Sequence, residues 1–282
     1  MFSSHLDDYF KIFLAESILK GSRHIHFFHG AGFHRNDIYD DLFNHFEKIS
    51  NKLIVSTPFN KKKNNIFIGY DIFKKSSLNK NKKKLLINFH ENRTYEIRVP
   101  IATNILSKEI EIFQSLTKSI KKLKMDILKN VKFRPKQNLG LNTLERFKKI
   151  FGEGSVEDAS SVTYRESLKN SKLVVCYYPQ TSFIEAIYNN VPTILVGSSH
   201  GLFYEQKSKN ILKILKKNRL FFERSEEAIR FINNNWENLH IWWNQKKTQN
   251  VRKLLLLNYY QVSKNYDIKL FNFIKEELEY IK

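Results

Sequence analysis

Residues 171–197 constrain this chain more than any other stretch. Leu173-Val174-Val175-Cys176 is an unbroken apolar run, Tyr177-Tyr178-Pro179-Gln180 interrupts it, residues 181–188 have helical spacing, and Pro192-Thr193-Ile194-Leu195-Val196 is apolar again. A strand without polar alternation is one buried on both faces, as in parallel sheets. Parallel neighbours need a crossover of a dozen or more residues, usually a helix. The segment therefore reads as strand, helix and parallel strand.

The same rhythm extends in both directions. Strand candidates at 85–89, 131–134, 172–176, 192–196 and 220–222 alternate with helical stretches at 103–129, 143–151, 181–188, 207–217 and 225–233. That is enough for one complete doubly wound α/β domain with helices on both faces of a parallel sheet. Residues 1–80 offer less: a helix at 9–20 ended by Gly21, short strands near 24–29, 52–56 and 65–68, and a helix at 37–49. They read as an abbreviated Rossmann-like half. The run 79–84, four lysines and two asparagines, reads as a linker. The expected division is an N-terminal domain at 1–80, a larger one at 81–262, and a terminal helix at 263–282 packing back on the body.

The chain has 282 residues, 41% hydrophobic and 14% aromatic, which can fill two modest cores and excludes wholesale disorder. Its single cysteine, Cys176, excludes an internal disulfide framework and a multi-cysteine zinc site. It fits a reducing compartment. Neither a basic-then-apolar leader nor a membrane-length apolar run is visible in the sequence. The expected location is cytoplasmic, with weak peripheral association at the inner face of an anionic membrane through charge alone.

Forty-eight Lys and Arg against 28 Asp and Glu give a formal net charge of +20. Such a charge attracts nucleic acid, anionic lipid or phosphorylated small molecules. Most of it is lysine in Asn- and Ile-rich runs, so a solvated surface without a dedicated partner is the competing explanation. Both remain open on composition alone.

In a doubly wound sheet a ligand lies outside the carboxyl ends of the strands. Four groups of polar residues follow strand candidates. His29-Gly30-Ala31-Gly32 places an imidazole, a potential general base, beside glycines Gly30 and Gly32 that permit a sharp turn; a tight turn alone explains it equally well. His90-Glu91-Asn92-Arg93, with Arg98 beyond, offers two guanidinium groups for a phosphate or carboxylate, or else a solvated loop. Arg134-Pro135-Lys136 holds two cations at fixed spacing, though coincidence is common in so basic a chain. Finally, Thr181 and Ser182 stand at a helix start, where free N–H groups favour phosphate, and Glu185 can accept from a ribose hydroxyl. The competing account of this last group is a capping box, with Ser182 as N-cap and Glu185 three residues later.

Other chemistries lack support. No Gly-x-Ser-x-Gly elbow and no phosphate-binding Gly-x-x-x-x-Gly-Lys-Ser/Thr loop occurs. Cys176 lies within an apolar strand and reads as core. No Asp-x-Asp pair is present to bridge a divalent ion to a diphosphate, so the expectation is metal-independent chemistry with no tightly bound cofactor.

The order of these motifs resembles a family of bacterial surface-carbohydrate transferases related to GT-B-like glycosyltransferases, which have two Rossmann-like domains. The resemblance rests on His29, Gly30 and Gly32; on Arg93-Thr94-Tyr95-Glu96-Ile97-Arg98; on Thr181, Ser182 and Glu185 with Val191-Pro192-Thr193-Ile194; and on Trp242-Trp243 followed by Gln249. Phe33-His34 stands where the family has Tyr-Gly, and this chain resembles the C-terminal portion of longer members.

The resemblance implies a GT-B-like fold and transfer of a sugar, or a polyol-phosphate unit, from a nucleotide-activated donor to a surface polysaccharide or its precursor. The partners would be a nucleotide-sugar or nucleotide-polyol donor and a glycan or lipid-linked glycan acceptor. His29, with His90 second, would deprotonate the acceptor. Arg93, Arg98, Arg134, Lys136, Thr181, Ser182 and Glu185 would hold the donor. Two other readings stand beside it: a basic nucleic-acid or anionic-surface module, and an inactive transferase homologue. The charge runs are scattered between elements and match no nucleic-acid module, so no specific nucleic acid is expected.

Overall fold

Lys52-Leu53-Ile54-Val55 alternates its side chains between two faces, and each face meets an apolar partner. In a computed structural model, which describes residues 8–27, 45–55, 65–69, 82–89, 101–135, 141–177, 179, 181–197, 206–258, 261 and 263–279, this segment is strand β2 (Lys52–Val55). It pairs in parallel with β1 (Ile25–Phe27) on one side and β3 (Asn65–Phe67) on the other. Leu53 and Val55 pack with Phe46, Ile49 and Phe67. Ile54 packs on the opposite face with Ile68 and Phe273, joined by Ile25, Ile66, Tyr266 and Leu270. The last helix, Tyr266–Glu279, thus covers one face of the small sheet, and Arg23 ties to its Glu277 at 2.9 Å.

Gly69 lets that arrangement close. Its φ is +89°, and a Cβ there would sit 2.8 Å from the carbonyl oxygen of Gln261. Only glycine combines that conformation with that approach.

The chain divides into two compact units: β1–β3 with the last helix form one, and residues 73–257 form most of the other. The second unit holds a five-stranded parallel sheet of β4 (Lys84–Phe89), β5 (Val131–Pro135), β6 (Ser171–Cys176), β7 (Thr193–Val196) and β8 (Phe221–Phe222). Its order is β5-β4-β6-β7-β8. The central strand β6 is buried along nearly its whole length, which explains its unbroken apolar sequence. Helices Ile101–Ile120, Thr143–Phe151, Thr181–Tyr188 and Gln206–Lys217 lie in the four crossovers, and helix Ser225–Asn235 follows the last strand. The doubly wound sheet and the disparity between the two halves are as the alternation predicts, and one fuller and one abbreviated Rossmann-like unit match the GT-B-like fold that the family resemblance implies.

One face of the large sheet is aromatic. Phe89 of β4 and Phe133 of β5 meet at 5.7 Å between ring centroids; Phe113 stands edge-on to both, and Phe147 stacks on Phe133 at 4.2 Å. Trp242 and Trp243 belong to the short helix Leu239–Asn244 and are core residues, 6% and 2% exposed. The indole nitrogen of Trp243 donates to the side-chain oxygen of Asn190 at 2.9 Å, and Gln249 donates to the Trp243 carbonyl at 2.8 Å. The paired tryptophans and the following glutamine therefore work as packing. Among the described residues no helix is long and apolar enough to cross a membrane.

Candidate functional site

The strand order makes a switch point between β4 and β6, where successive connections leave toward opposite faces and open a crevice at the carboxyl edge. Asn88 of β4 is in register with Arg134 of β5 and Cys176 of β6, so the three side chains leave one face of the sheet near that edge. Asn88 donates through Nδ2 to the Tyr164 hydroxyl at 2.8 Å and to Cys176 Sγ at 3.4 Å. The Tyr164 hydroxyl donates in turn to the Ser182 carbonyl at 2.8 Å. The Arg134 guanidinium carbon lies 5.8 Å from the centre of the Tyr164 ring. One aromatic side chain therefore touches both Arg134 and the start of the Thr181–Tyr188 helix, and the two stand at the same edge.

Tyr164 is held by its own helix start. Thr163 caps helix Tyr164–Lys169 through a capping box: its hydroxyl accepts from the Glu166 amide at 3.3 Å, while the Glu166 carboxylate accepts from the Thr163 amide at 3.0 Å. Thr163→Ala is expected to cost about 1 kcal/mol, read as a lower urea midpoint with an unchanged slope.

Arg134 is 9% exposed and already engaged. Its Nη1 donates to Glu157 at 3.0 Å, and Lys84 donates to the other carboxylate oxygen at 2.7 Å and to Ser167 Oγ at 2.7 Å. Burial opposes ionisation of Glu157. Hydrogen bonds from Lys84 and Ser167, with the nearby positive charges, outweigh burial and hold its carboxyl below the usual range. Two cations around one carboxylate leave one positive charge in the cluster.

Thr181 opens its helix, and Ser182 lies one residue inside rather than at the N-cap. Ser182 is therefore not the N-cap, which removes the capping-box account of Ser182 and Glu185. Cys176 itself is 1% exposed; burial pushes its thiol up to about 12, against the hydrogen bonds from Asn88 and Ser182. It stays protonated and is core. Glu185, half-buried, is pushed up to about 7 by burial, against the pull of Arg165 and Arg134. Among the described residues no hydrogen bond to its carboxylate forms. A carboxyl group poised near neutrality can hold or release a proton under ordinary conditions.

Of the residues singled out in the sequence, Arg134, Ser182 and Glu185 come together here, with Thr181 adjoining. His29, Gly30, Gly32, His90, Arg93, Arg98 and Lys136 lie outside the described residues. Sequence reasoning missed Asn88, Glu157 and Tyr164. Asn88 was visible as the polar residue inside the apolar 85–89 run, and the Thr163–Glu166 spacing marks Tyr164 as a helix start. Glu157 carries no local signal. Among the described residues no group of three or more His, Cys, Asp or Glu is arranged to hold a metal ion.

A model of the family described as LIC12162 family transferase matches residues 2–274. The chain belongs to that family. Among curated proteins none matches it. Among solved structures, a UDP-N-acetylglucosamine 2-epimerase from Listeria monocytogenes is 11% identical with a TM-score of 0.52, covering 94% of this chain and 71% of its own. S. aureus MnaA in complex with UDP is 13% identical with a TM-score of 0.51, covering 94% and 72%. These likenesses concern the fold. S. aureus TarM, 13% identical with a TM-score of 0.48, is matched over 89% of this chain, which spans 50% of the TarM chain.

Proposed function

We propose that the protein transfers a sugar, or a polyol-phosphate unit, from a nucleotide-activated donor to a surface polysaccharide or its precursor, free or lipid-linked. The observation that carries this reading is the contact chain Arg134–Tyr164–Ser182 at the switch point, beside the neutral-poised Glu185. Family membership supports group transfer as the reaction class.

The donor diphosphate lies against the first amides of the Thr181–Tyr188 helix, with the Thr181 hydroxyl at its opening. Arg134 supplies positive potential from beneath, and its partner Glu157 fixes the guanidinium in place. Arg93, Arg98 and Lys136 add charge as the leaving diphosphate develops it, so no metal ion is required in this scheme. Glu185 accepts from the ribose. His29 takes the acceptor proton, with His90 as the alternative base.

Thermal melting with a panel of nucleoside diphosphates and nucleotide sugars tests the donor site. A ligand that binds only the native state, at a hundred times its dissociation constant, raises the midpoint by about 5 °C in a chain of this size. Thr181→Ala and Glu185→Gln are each expected to reduce that rise for the same ligand. An unchanged rise in both variants would remove the donor from this edge.

A further inference from the structure

The lysine run that opens β4 and the tryptophan-bearing helix find no role at the carboxyl edge, yet they meet elsewhere. At the amino edge of the large sheet, a cavity of about 670 Å3 is lined by Lys82, Lys83, Lys172, Asn190, Glu237, His240 and Asn244, with the half-buried Pro192 ring beside them and the core residues Leu239 and Trp243 behind. That volume is in the range of small-ligand sites. Lys82 and Lys83 precede β4, Lys172 is the second residue of β6, and Asn190 precedes β7. The cavity therefore lies a whole strand away from Arg134 and Ser182, about 17 Å at five steps of about 3.3 Å each.

The lining is uneven in a telling way. Lys172 is satisfied: its ammonium is 3.2 Å from Glu237 and 4.7 Å from the centre of the Trp236 ring. Among the described residues no acceptor reaches Lys82 or Lys83, although Lys82 is half-buried and burial lowers its pKa. A cation set back from water without a counter-charge favours a bound anion. Asn190 uses its side-chain oxygen to accept from the Trp243 indole, which turns its amide donors elsewhere. Asn244 and the exposed Glu237 add further polar groups of both kinds. Donors and an acceptor beside the partly accessible Pro192 ring together suit hydroxyl-bearing rings. The Glu237 carboxylate would repel a dense run of phosphates.

We propose that this amino-edge cavity is a second binding site, separate from the donor crevice, for an anionic saccharide chain. Its acidic groups are met by Lys82 and Lys83, and its hydroxyls by Asn190, Asn244 and Glu237. The site stands whether or not the chain it holds is the acceptor of the transfer reaction.

Calorimetric titration of the full chain at physiological salt tests it with four probes. These are an oligogalacturonate hexamer, maltohexaose as a neutral sugar, tripolyphosphate as an anion without sugar, and an oligo-dT dodecamer. The expected result is one saturable site for the galacturonate hexamer, with maltohexaose and tripolyphosphate each about tenfold weaker. The double substitution K82Q/K83Q weakens the hexamer about tenfold. K216Q/K217Q, an equal charge change at the end of helix Gln206–Lys217, leaves it unchanged. Equal losses in both lysine pairs, equally tight tripolyphosphate or oligo-dT, or no hexamer binding would each overturn the proposal. Nucleotide-induced melting shifts should be the same in K82Q/K83Q as in the unsubstituted chain, so the donor site stands or falls separately.

Discussion

Glu185→Gln is expected to flatten the stability of the protein between about pH 4.5 and pH 7, and to stabilise it at pH 8 by about 3 kcal/mol. The carboxyl rises from an ordinary value of 4.5 to about 7 because folding half-buries it without a hydrogen-bond donor among the described residues. Between those values the native state holds a proton that the unfolded chain has released. Unfolding then becomes easier as the pH rises, and the contribution is complete once the pH exceeds the folded value. A displacement of 2.5 units at 1.36 kcal/mol each gives the stated size. Glutamine keeps the shape and cannot ionise. The two proteins should therefore be equally stable near pH 4 and diverge above it, as read by urea unfolding at a series of pH values. Parallel curves would mean that Glu185 is solvated and ionises freely, and would remove the neutral-poised acid from the proposed donor site.

The same residue shows what a sequence can and cannot disclose. Glu185 was legible as a candidate because it follows a buried strand, a proline-bearing turn and a helix start, all local patterns. Local patterns also gave helix Thr143–Phe151 and its terminating Gly152, with φ of +87°. They gave every strand of the large sheet: the interior strands β6 and β7 through a continuous apolar signature, and the edge strand β5 through the alternation of Val131 and Phe133 with Lys132 and Arg134. Ser182 marks the limit. Ser-x-x-Glu is a capping spacing, but the helix already begins at Thr181, so Ser182 lies inside it and caps nothing.

Pairing between distant residues is what the chain conceals. Arg134-Pro135-Lys136 reads as charge held ready for a ligand, whereas the Arg134 guanidinium faces a carboxylate 23 residues away. That carboxylate also takes Lys84, 73 residues from it. Composition gives the number of charges and nothing about which of them cancel. The large sheet aligns Asn88, Arg134 and Cys176 through register alone, and register is a property of the fold rather than of any one strand.

The ion cluster beneath the crevice leads to the other large effect. Glu157→Gln should destabilise the protein by about 3 kcal/mol, because it leaves the buried Arg134 and the half-buried Lys84 without their counter-charge. Lys84 is 13% exposed and Arg134 9%, so water replaces the lost carboxylate poorly. The native carboxyl lies below its ordinary range, so its contribution is complete above the unfolded value and fades as the pH falls through the folded one. The deficit of Glu157→Gln should accordingly shrink in acid, opposite in sign to the behaviour of Glu185→Gln. A charge-free triple variant, Lys84→Met with Arg134→Met and Glu157→Leu, separates two explanations. If the cluster stabilises only by mutual compensation, the triple variant recovers most of the loss in urea unfolding, because a well-packed apolar set avoids the cost of desolvating three charges. Its nucleotide response should nonetheless be lost, since Arg134 is the cation that the proposed crevice draws from this layer. Recovery of stability together with full nucleotide binding would assign Arg134 to the sheet alone.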